Sequence, residues 1–282
     1  MALGVLNNIA SLYAQNYLNN TQSSLQNTLT QLSSGSRINS GSDDAAGLAV
    51  ASGLQGNESA LTQSEQNAQQ GVGLLQTADG TLSQVTTLMN RAITLATEAS
   101  NGTLNASQLG AANNEFQSIV TEINNIGTTT NYNGNAIFSA TPINVVTTDG
   151  TTSGTTTFAL TTGELTSASV GETTIGTSGG TDLTGLDLTT GAAAALTAVT
   201  TGIASVANQR ASIGAQVNQL NAAANVAATE QENLTSASTN ILSTNYGQAT
   251  SDLAKYQVLS QTGIAALAQA NSVQQEVLKL LQ

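Results

Sequence analysis

Apolar and small residues recur at alternating steps of three and four along residues 61–99. One row holds Leu61, Ala68, Leu75, Leu82, Met89 and Ala96; the other holds Ser64, Gly71, Ala78, Val85, Ala92 and Ala99. A sustained seven-residue period places both rows on one helix face and implies packing of helix on helix. A helix of about 40 residues is roughly 60 Å long. Asn101-Gly102-Thr103 is expected to end it, because Asn and Gly tolerate the left-handed conformation at a helix C-terminus.

Two further runs have the same spacing. The nearer one carries Leu109, Ala112, Phe116, Ile119, Ile123 and Ile126. The distant one carries Leu196, Val199, Ile203, Val206, Ile213, Val217 and Leu220, interrupted by Arg210. A buried unpaired cation is costly, so Arg210 is expected at the seam's edge or against an acid. None of the three stripes can remain in water, and each supplies what the others lack. The expected fold is mainly α: a long antiparallel helical rod or coiled coil built from both chain ends.

Between them, residues 140–191 follow another rule. β-branched runs such as Ile143-Asn144-Val145-Val146, Thr155 to Leu160 and Ser169-Val170 are punctuated by Asp149-Gly150, Gly163 and Gly179-Gly180. The pattern predicts short hairpins, a small β-rich excursion, with an unstructured Thr/Gly loop as the alternative. Because it adds nothing to the heptad rows, this segment is expected to be dispensable for the bundle.

The two ends are the third kind of segment. Residues 3–32 carry Leu3, Leu6, Ile9, Tyr13, Leu18, Leu25, Leu29 and Leu32 among uncharged polar residues. Residues 253–281 carry Val258, Leu259, Ile264, Leu267, Val273, Val277, Leu278, Leu280 and Leu281, with Lys255, Glu276 and Lys279 as charges. Both are amphipathic, and both have a polar face that can be buried without desolvating ions. Their apolar faces are expected to lack a partner inside the bundle.

Composition narrows the chemistry. The 282 residues include no His and no Cys, which excludes nucleophilic sites, zinc sites and disulfides built on those residues. Five Lys and Arg stand against seventeen Asp and Glu, a formal charge of -12, which argues against nucleic acid or an anionic membrane as partner. Charged residues make up 8% and aromatics 3%, against about 25% charge in ordinary globular chains. Few bulky rings mean narrow seams rather than a thick core, in a chain suited to packing against copies of itself. No uninterrupted run of about 18 apolar residues is present to span a bilayer. The first charge is Arg37, so the N-terminus lacks the cationic start of a cleaved secretory signal.

Leu32-Ser33-Ser34-Gly35-Ser36-Arg37-Ile38-Asn39-Ser40, continuing Gly41-Ser42-Asp43-Asp44-Ala45-Ala46-Gly47-Leu48, resembles the N-terminal signature of bacterial flagellins. Ala266-Leu267-Ala268-Gln269-Ala270-Asn271 with the following Val and Leu residues resembles their C-terminal signature. Asn131-Tyr132-Asn133-Gly134 is similar to their turn before the variable region. Two features depart from the pattern: Asn245-Tyr246-Gly247 near the start of the last helix, and Val273-Gln274 where a proline often stands. The resemblance covers roughly residues 1–139 and 192–282.

The resemblance implies a non-enzymatic, secreted subunit of the extracellular flagellum, polymerising for motility, with a hook–filament junction protein as the alternative. It implies that residues 1–40 and 245–282 form the filament's inner core, 41–139 and 192–244 a rod-like bundle, and 140–191 a segment exposed on the filament surface. Implied partners are other flagellin subunits, the export apparatus, an export chaperone and the filament cap; no cofactor is implied. Arg37, Asn39, Asp43 and Asp44 are expected at the elbow between inner and outer layers, with subunit contacts. Asn90, Arg91, Leu95 and Glu115 resemble the site recognised by the vertebrate flagellin-sensing Toll-like receptor. Arg91 and Leu95 lie one turn apart, outside the two heptad rows, and are therefore expected to face a neighbour or receptor. Asp43-Asp44, lacking a third ligand, is a weak candidate for acid–base or metal chemistry.

Overall fold

The computed structural model describes residues 8–148, 157–171 and 180–280, with the side chains of 274 and 276–280 left aside. The expectations for Leu3, Leu6, Asp149-Gly150, Thr155-Thr156, Gly179 and Leu281, and for the side chains of Val277, Leu278 and Leu280, therefore fall outside the described residues. Helices α1 (Ile9–Ser34), α2 (Ala45–Ser100) and α3 (Ala106–Thr129) precede the strands β1 (Asn131–Tyr132), β2 (Asn135–Ala136), β3 (Ile143–Val146) and β4 (Thr157–Leu160). Helices α4 (Leu188–Leu242) and α5 (Tyr246–Leu280) follow. The fold is mainly α, with helices from both chain ends packing together around a small β element.

The chain divides into two compact units, Met1–Gly56 with Asn233–Gln282, and Asn57–Glu232. Residues 140–191 fall inside the second unit. The reason lies in the core of the second unit.

Within residues 57–232, both heptad rows of α2 are buried as their spacing predicts, from Leu61 to Ala96, with Ala99 partly covered. They pack against the matching row of α4, in which Val199, Val206, Ile213 and Leu220 are buried. The helices are antiparallel: Thr62 meets Gln231 at 2.9 Å, Asp79 meets Arg210 at 2.7 Å, and a Cβ on Gly71 would touch Leu220. Arg210 thus meets an acid, and both partners stay partly solvated. Helix α3 begins in a capping box, in which the side chains of Asn105 and Gln108 each bond the other's backbone N–H. Gly102, at φ 65°, turns the chain at the end of α2, and α3 then adds Phe116, Ile119, Val120 and Ile123 to the core.

The third helix widens the seam. Leu74 and Leu95 lie one residue before the first heptad row and are 5% and 2% exposed. Leu95 therefore belongs to the core, which corrects the expectation that it faces outward: with α3 on the flank, three adjacent rows of α2 are covered instead of two.

A second finding concerns the middle segment. β3 pairs antiparallel with β4, Ile143 opposite Leu160 and Val146 opposite Thr157. Val145, Leu160, Leu165, Val170 and Leu183 are all in the same core as the helices. Two buried glutamines of α4, each one residue before a position of its row, hold the segment in place. Gln216 accepts from the Thr161 backbone N–H at 2.9 Å and donates to the Thr161 carbonyl at 2.8 Å, while Gln209 donates to the Thr162 carbonyl. On the other flank Asn124 accepts from the Ser167 N–H, and Asn113 accepts from the Leu188 N–H. The segment adds a third wall to the core, because every second side chain of its described strands replaces water over the helices.

The hairpin β1–β2 turns at Asn133 (φ 51°) and Gly134 (φ 82°), the positive-φ pair that suits two-residue hairpins. Although α4 contains an 18-residue stretch of mean hydropathy 1.4, long and apolar enough to cross a membrane, its alanine-rich apolarity is spread around the helix and its heptad row packs in this core. This differs from the expectation drawn from uninterrupted apolar runs.

Close approach explains one glycine. A Cβ on Gly127 of α3 would collide with the Leu165 carbonyl oxygen, a backbone atom that cannot rotate away. Gly127→Ala is expected to destabilise the second unit by about 1–3 kcal/mol, the usual overpacking cost. Gly80→Ala, in an open mid-helix position with nothing within 4 Å, should instead stabilise it by about 0.5–1 kcal/mol. Thermal or urea unfolding of the two variants measures the difference in sign.

Candidate functional site

In the first unit, α1 and α5 pack against each other antiparallel. Asn8 donates to the Ala270 carbonyl at 3.0 Å, Gly263 faces Leu18, and Thr244 donates to the Gly35 carbonyl at 3.0 Å. The seam between them alternates small or polar residues, Ser11, Ala14, Thr21 and Thr28 on α1 and Ala249, Ser260 and Gly263 on α5, with the partly covered Leu18, Leu25 and Leu32 of α1 and Leu253 and Leu267 of α5. Of the α1 side chains, Thr28 is the buried one. The ends therefore have an internal partner, contrary to expectation, yet a second set of large apolar groups stays outside the seam. Ile9, Leu12, Tyr13 and Tyr17 on α1, and Val258, Leu259 and Ile264 on α5, are exposed, Tyr17 at 71%.

Between these helices and their neighbours lies a hydrogen-bonded elbow. Gly35, in the left-handed conformation at φ 72°, ends α1, and Ser36 bridges to Ser243. Backbone bonds then cross the two chain segments: the Arg37 N–H donates to the Leu242 carbonyl at 2.6 Å. The Arg37 guanidinium donates to the Ile241 carbonyl at 3.0 Å, placing a cation at the C-terminal end of α4 where the helix dipole favours it. Gln31 donates to the Arg37 carbonyl at 3.1 Å.

Downstream, Asn39 donates to the Ser36 carbonyl at 2.8 Å. The Asp43 carboxylate accepts from the backbone N–H groups of Asn39 at 3.0 Å and Ser40 at 2.8 Å, and from the Ser40 hydroxyl at 3.1 Å. Those backbone donors, Asn39 first, hold the Asp43 carboxyl below its usual range. Asp44 accepts from the Gly47 N–H at 2.8 Å and so caps α2. Beneath this turn Ile38 is buried against Gly47, whose missing Cβ leaves room for it.

The structure thus brings Arg37, Asn39, Asp43 and Asp44 into one turn, each bonded inside the chain. Among the described residues no group of three or more His, Cys, Asp or Glu side chains could hold a metal ion. Sequence reasoning missed Gly35, Thr244 and Tyr246, which complete the elbow: the Tyr246 hydroxyl lies where a Cβ on Gly35 would sit. The signal was available in Ser34-Gly35-Ser36, a C-cap glycine after a helical run. At the unusual Asn245-Tyr246-Gly247, Asn245 caps α5 by accepting from the Gln248 N–H at 3.2 Å, so the helix starts normally.

The remaining expected residues lie in the second unit. Arg91 and Glu115 form a two-pronged ion pair across α2 and α3, at 2.6 and 2.9 Å, with side chains 51% and 46% exposed. The guanidinium's hydrogen bond holds the Glu115 carboxyl below its usual range. Asn90 is exposed beside the pair, whereas Leu95 is in the core.

Residues 5–142 match the family described as the bacterial flagellin N-terminal helical region, and residues 196–281 match the bacterial flagellin C-terminal helical region. The chain is 31% identical to a flagellin of Listeria innocua, over 97% of this chain and 98% of that protein. It is 32% identical to a flagellin of Bacillus subtilis over the same shares. A flagellar filament 33 kDa core protein of Treponema phagedenis is 32% identical, again over 97% and 98%. The crystal structure of a Bacillus cereus flagellin aligns with a TM-score of 0.46 at 24% identity, over 57% of this chain and 88% of that one.

A carboxyl held below its usual range contributes stability at pH values above that range, and the contribution disappears as pH falls through the lowered value. Protection of the Asn39 and Ser40 amides is therefore expected to be full at neutral pH and to collapse in acid once Asp43 is protonated. Asp43→Asn should lack much of that protection already at pH 7. Amide exchange, corrected for its intrinsic pH dependence, measures both.

Proposed function

The chain belongs to the bacterial flagellins, structural proteins that polymerise into the flagellar filament, and on that footing we propose that the outward apolar face of α1 and α5 is the surface through which one subunit meets the next. The observation that carries this reading is a second apolar set outside the seam. Leu18, Leu25, Leu253 and Leu267 are partly covered between the two helices, while Leu12, Tyr17, Val258 and Ile264 are left in solvent. Contiguous exposed apolar surface of this kind marks an interaction site. The neighbouring polar positions of α1 are uncharged and those of α5 carry only Asp252 and Lys255 beside the exposed Val258 and Leu259, so covering the face takes few ions from water.

Residues 1–40 and 245–282 are then the filament's inner core, and the segment 140–191 lies toward the filament surface. In this reading Arg37, Asn39, Asp43 and Asp44 act by fixing the elbow that aims both terminal helices, with subunit contacts built around it. A terminal pair with so little buried apolar surface is marginal alone, since isolated helices gain most of their stability from packing. That supports export of an unfolded chain through the flagellar export apparatus, with an export chaperone and the filament cap as partners and the extracellular filament as destination. No catalytic role is assigned.

Leu12→Ser with Val258→Ser tests the interface. Each apolar side chain left in water on assembly forfeits about 1.5–3 kcal/mol, so the critical concentration for seeded polymerisation should rise on the order of a hundredfold. The second unit should unfold at an unchanged temperature. Polymerisation at the wild-type critical concentration would overturn the assignment.

Receptor recognition is a second reading, favoured by the exposure of Arg91 and Glu115. The contact set narrows to Asn90, Arg91 and Glu115, because Leu95 is reached by no partner without unfolding the core. In a reporter-cell titration of folded monomer on the flagellin-sensing Toll-like receptor, Arg91→Ala should weaken the response with little change in unfolding temperature. Leu95→Ala should lower the unfolding temperature, the behaviour of a core leucine. A wild-type response unaffected by Arg91→Ala would remove this surface as the site.

A further inference from the structure

A groove of about 280 Å³ opens in the second unit between α2, the β1–β2 hairpin and β3. Its floor is apolar, made by Gly71, Leu74, Val145 and Leu160, and its rim carries Tyr132 and a set of amides. Gly73 has no Cβ to displace the Tyr132 hydroxyl, which lies across α2 at that point. The amide of Asn67 is already used: it donates to the Val146 carbonyl at 3.3 Å and accepts from Gln63 at 3.0 Å. Gln70, Asn133, Asn135 and Asn144 are exposed, and among the described residues their side chains have no hydrogen-bond partner. Among the described residues no Asp, Glu, Lys or Arg lines the groove, in a chain of net charge -12.

These properties select a ligand class. An amide presents donor and acceptor in one fixed plane, the complement of a hydroxyl, which is itself both donor and acceptor. Several amides around an apolar floor match a ring that is polar at its edge and apolar on its C–H face, with Tyr132 offering an amphipathic surface beside it. An ionic ligand would enter with no counter-charge to meet it, at a desolvation cost nothing there offsets. The volume is just below the roughly 300 Å³ at which small-ligand pockets begin, enough for one sugar ring with its neighbours projecting into solvent. We propose that this groove binds a neutral pyranose unit of an uncharged saccharide, a binding function separate from polymerisation.

The test uses the full-length monomer labelled with ¹⁵N and titrated with lactose, cellobiose, diacetylchitobiose and sialyllactose. At least one neutral disaccharide should shift the side-chain amide signals of Gln70, Asn133, Asn135 and Asn144, and should bind more tightly than sialyllactose. The double variant Gln70→Ala with Asn144→Ala removes two exposed amides that bond nothing within the chain, so its circular dichroism and unfolding temperature should be unchanged while binding weakens at least tenfold. The proposal is overturned if no neutral disaccharide shifts these signals, if sialyllactose binds best, or if the double variant binds as well as wild type. It is also overturned if the same amides shift with protein concentration in the absence of sugar, since the groove would then be taken by a second copy of the chain.

Discussion

The structure depends on the antiparallel packing of one long heptad seam on another, α2 against α4. Rows of Ala, Gly, Ser, Val and Leu allow the two helices to approach closely over many turns, and partners that rise along α2 fall along α4 from Gln231 to Arg210. Residues from opposite ends of the sequence must therefore meet before either seam is dry. Closing so long a loop has an entropic cost that grows only slowly with its length, so the intervening segment can be large without preventing the pairing.

What fills that loop follows from the same seam. Beside the row, Gln209 and Gln216 are buried amides, and buried amides need partners. The middle segment supplies the Thr161 backbone to both ends of the Gln216 amide and the Thr162 carbonyl to the Gln209 NH2, and its Leu160, Leu165, Val170 and Leu183 cover apolar surface that α2, α3 and α4 leave open. The β element is thus tied to the bundle by polar residues that flank the apolar row of α4. This is why it belongs to the same compact unit as the helices.

The terminal pair works under the opposite condition. Its seam leaves even Leu18, Leu25 and Leu267 only partly covered, and a further set of large side chains is exposed. What is fixed within a single chain is the elbow, through backbone bonds between residues 35–37 and 242–244 and the Asp43 and Asp44 caps. Few charges occur on either helix, which keeps the desolvation cost of covering them low. A subunit that polymerises needs this division between an internally satisfied unit and a pair of ends completed by neighbours.

Sequence by itself determined the helices, their ends and their inward rows. A seven-residue period fixes which side chains share a face, and Asn101-Gly102 and Gly35 fix where the chain must turn. It also required an acid for Arg210 without saying which one. The elbow's four charged and polar residues were legible from the signature they resemble, though not the atoms each would bond. Tertiary structure alone decided how wide each buried face is. Leu95 is covered where α3 flanks α2, and Leu74 where Tyr132, Val145 and Leu160 come together, and periodicity along one helix carries no information about how many neighbours that helix has. Tertiary structure also decided that the expected small β excursion packs on the helical core, since alternation within four-residue strands is too short to reveal which face meets the bundle. In the terminal helices, uncharged polar and apolar residues are interleaved, so the sequence does not distinguish the face turned to the partner helix from the face turned outward. That choice is made by packing: the row from Ser11 through Leu18 and Leu25 to Leu32 is partly covered against α5, and Leu12, Tyr13 and Tyr17 on the same helix stay exposed.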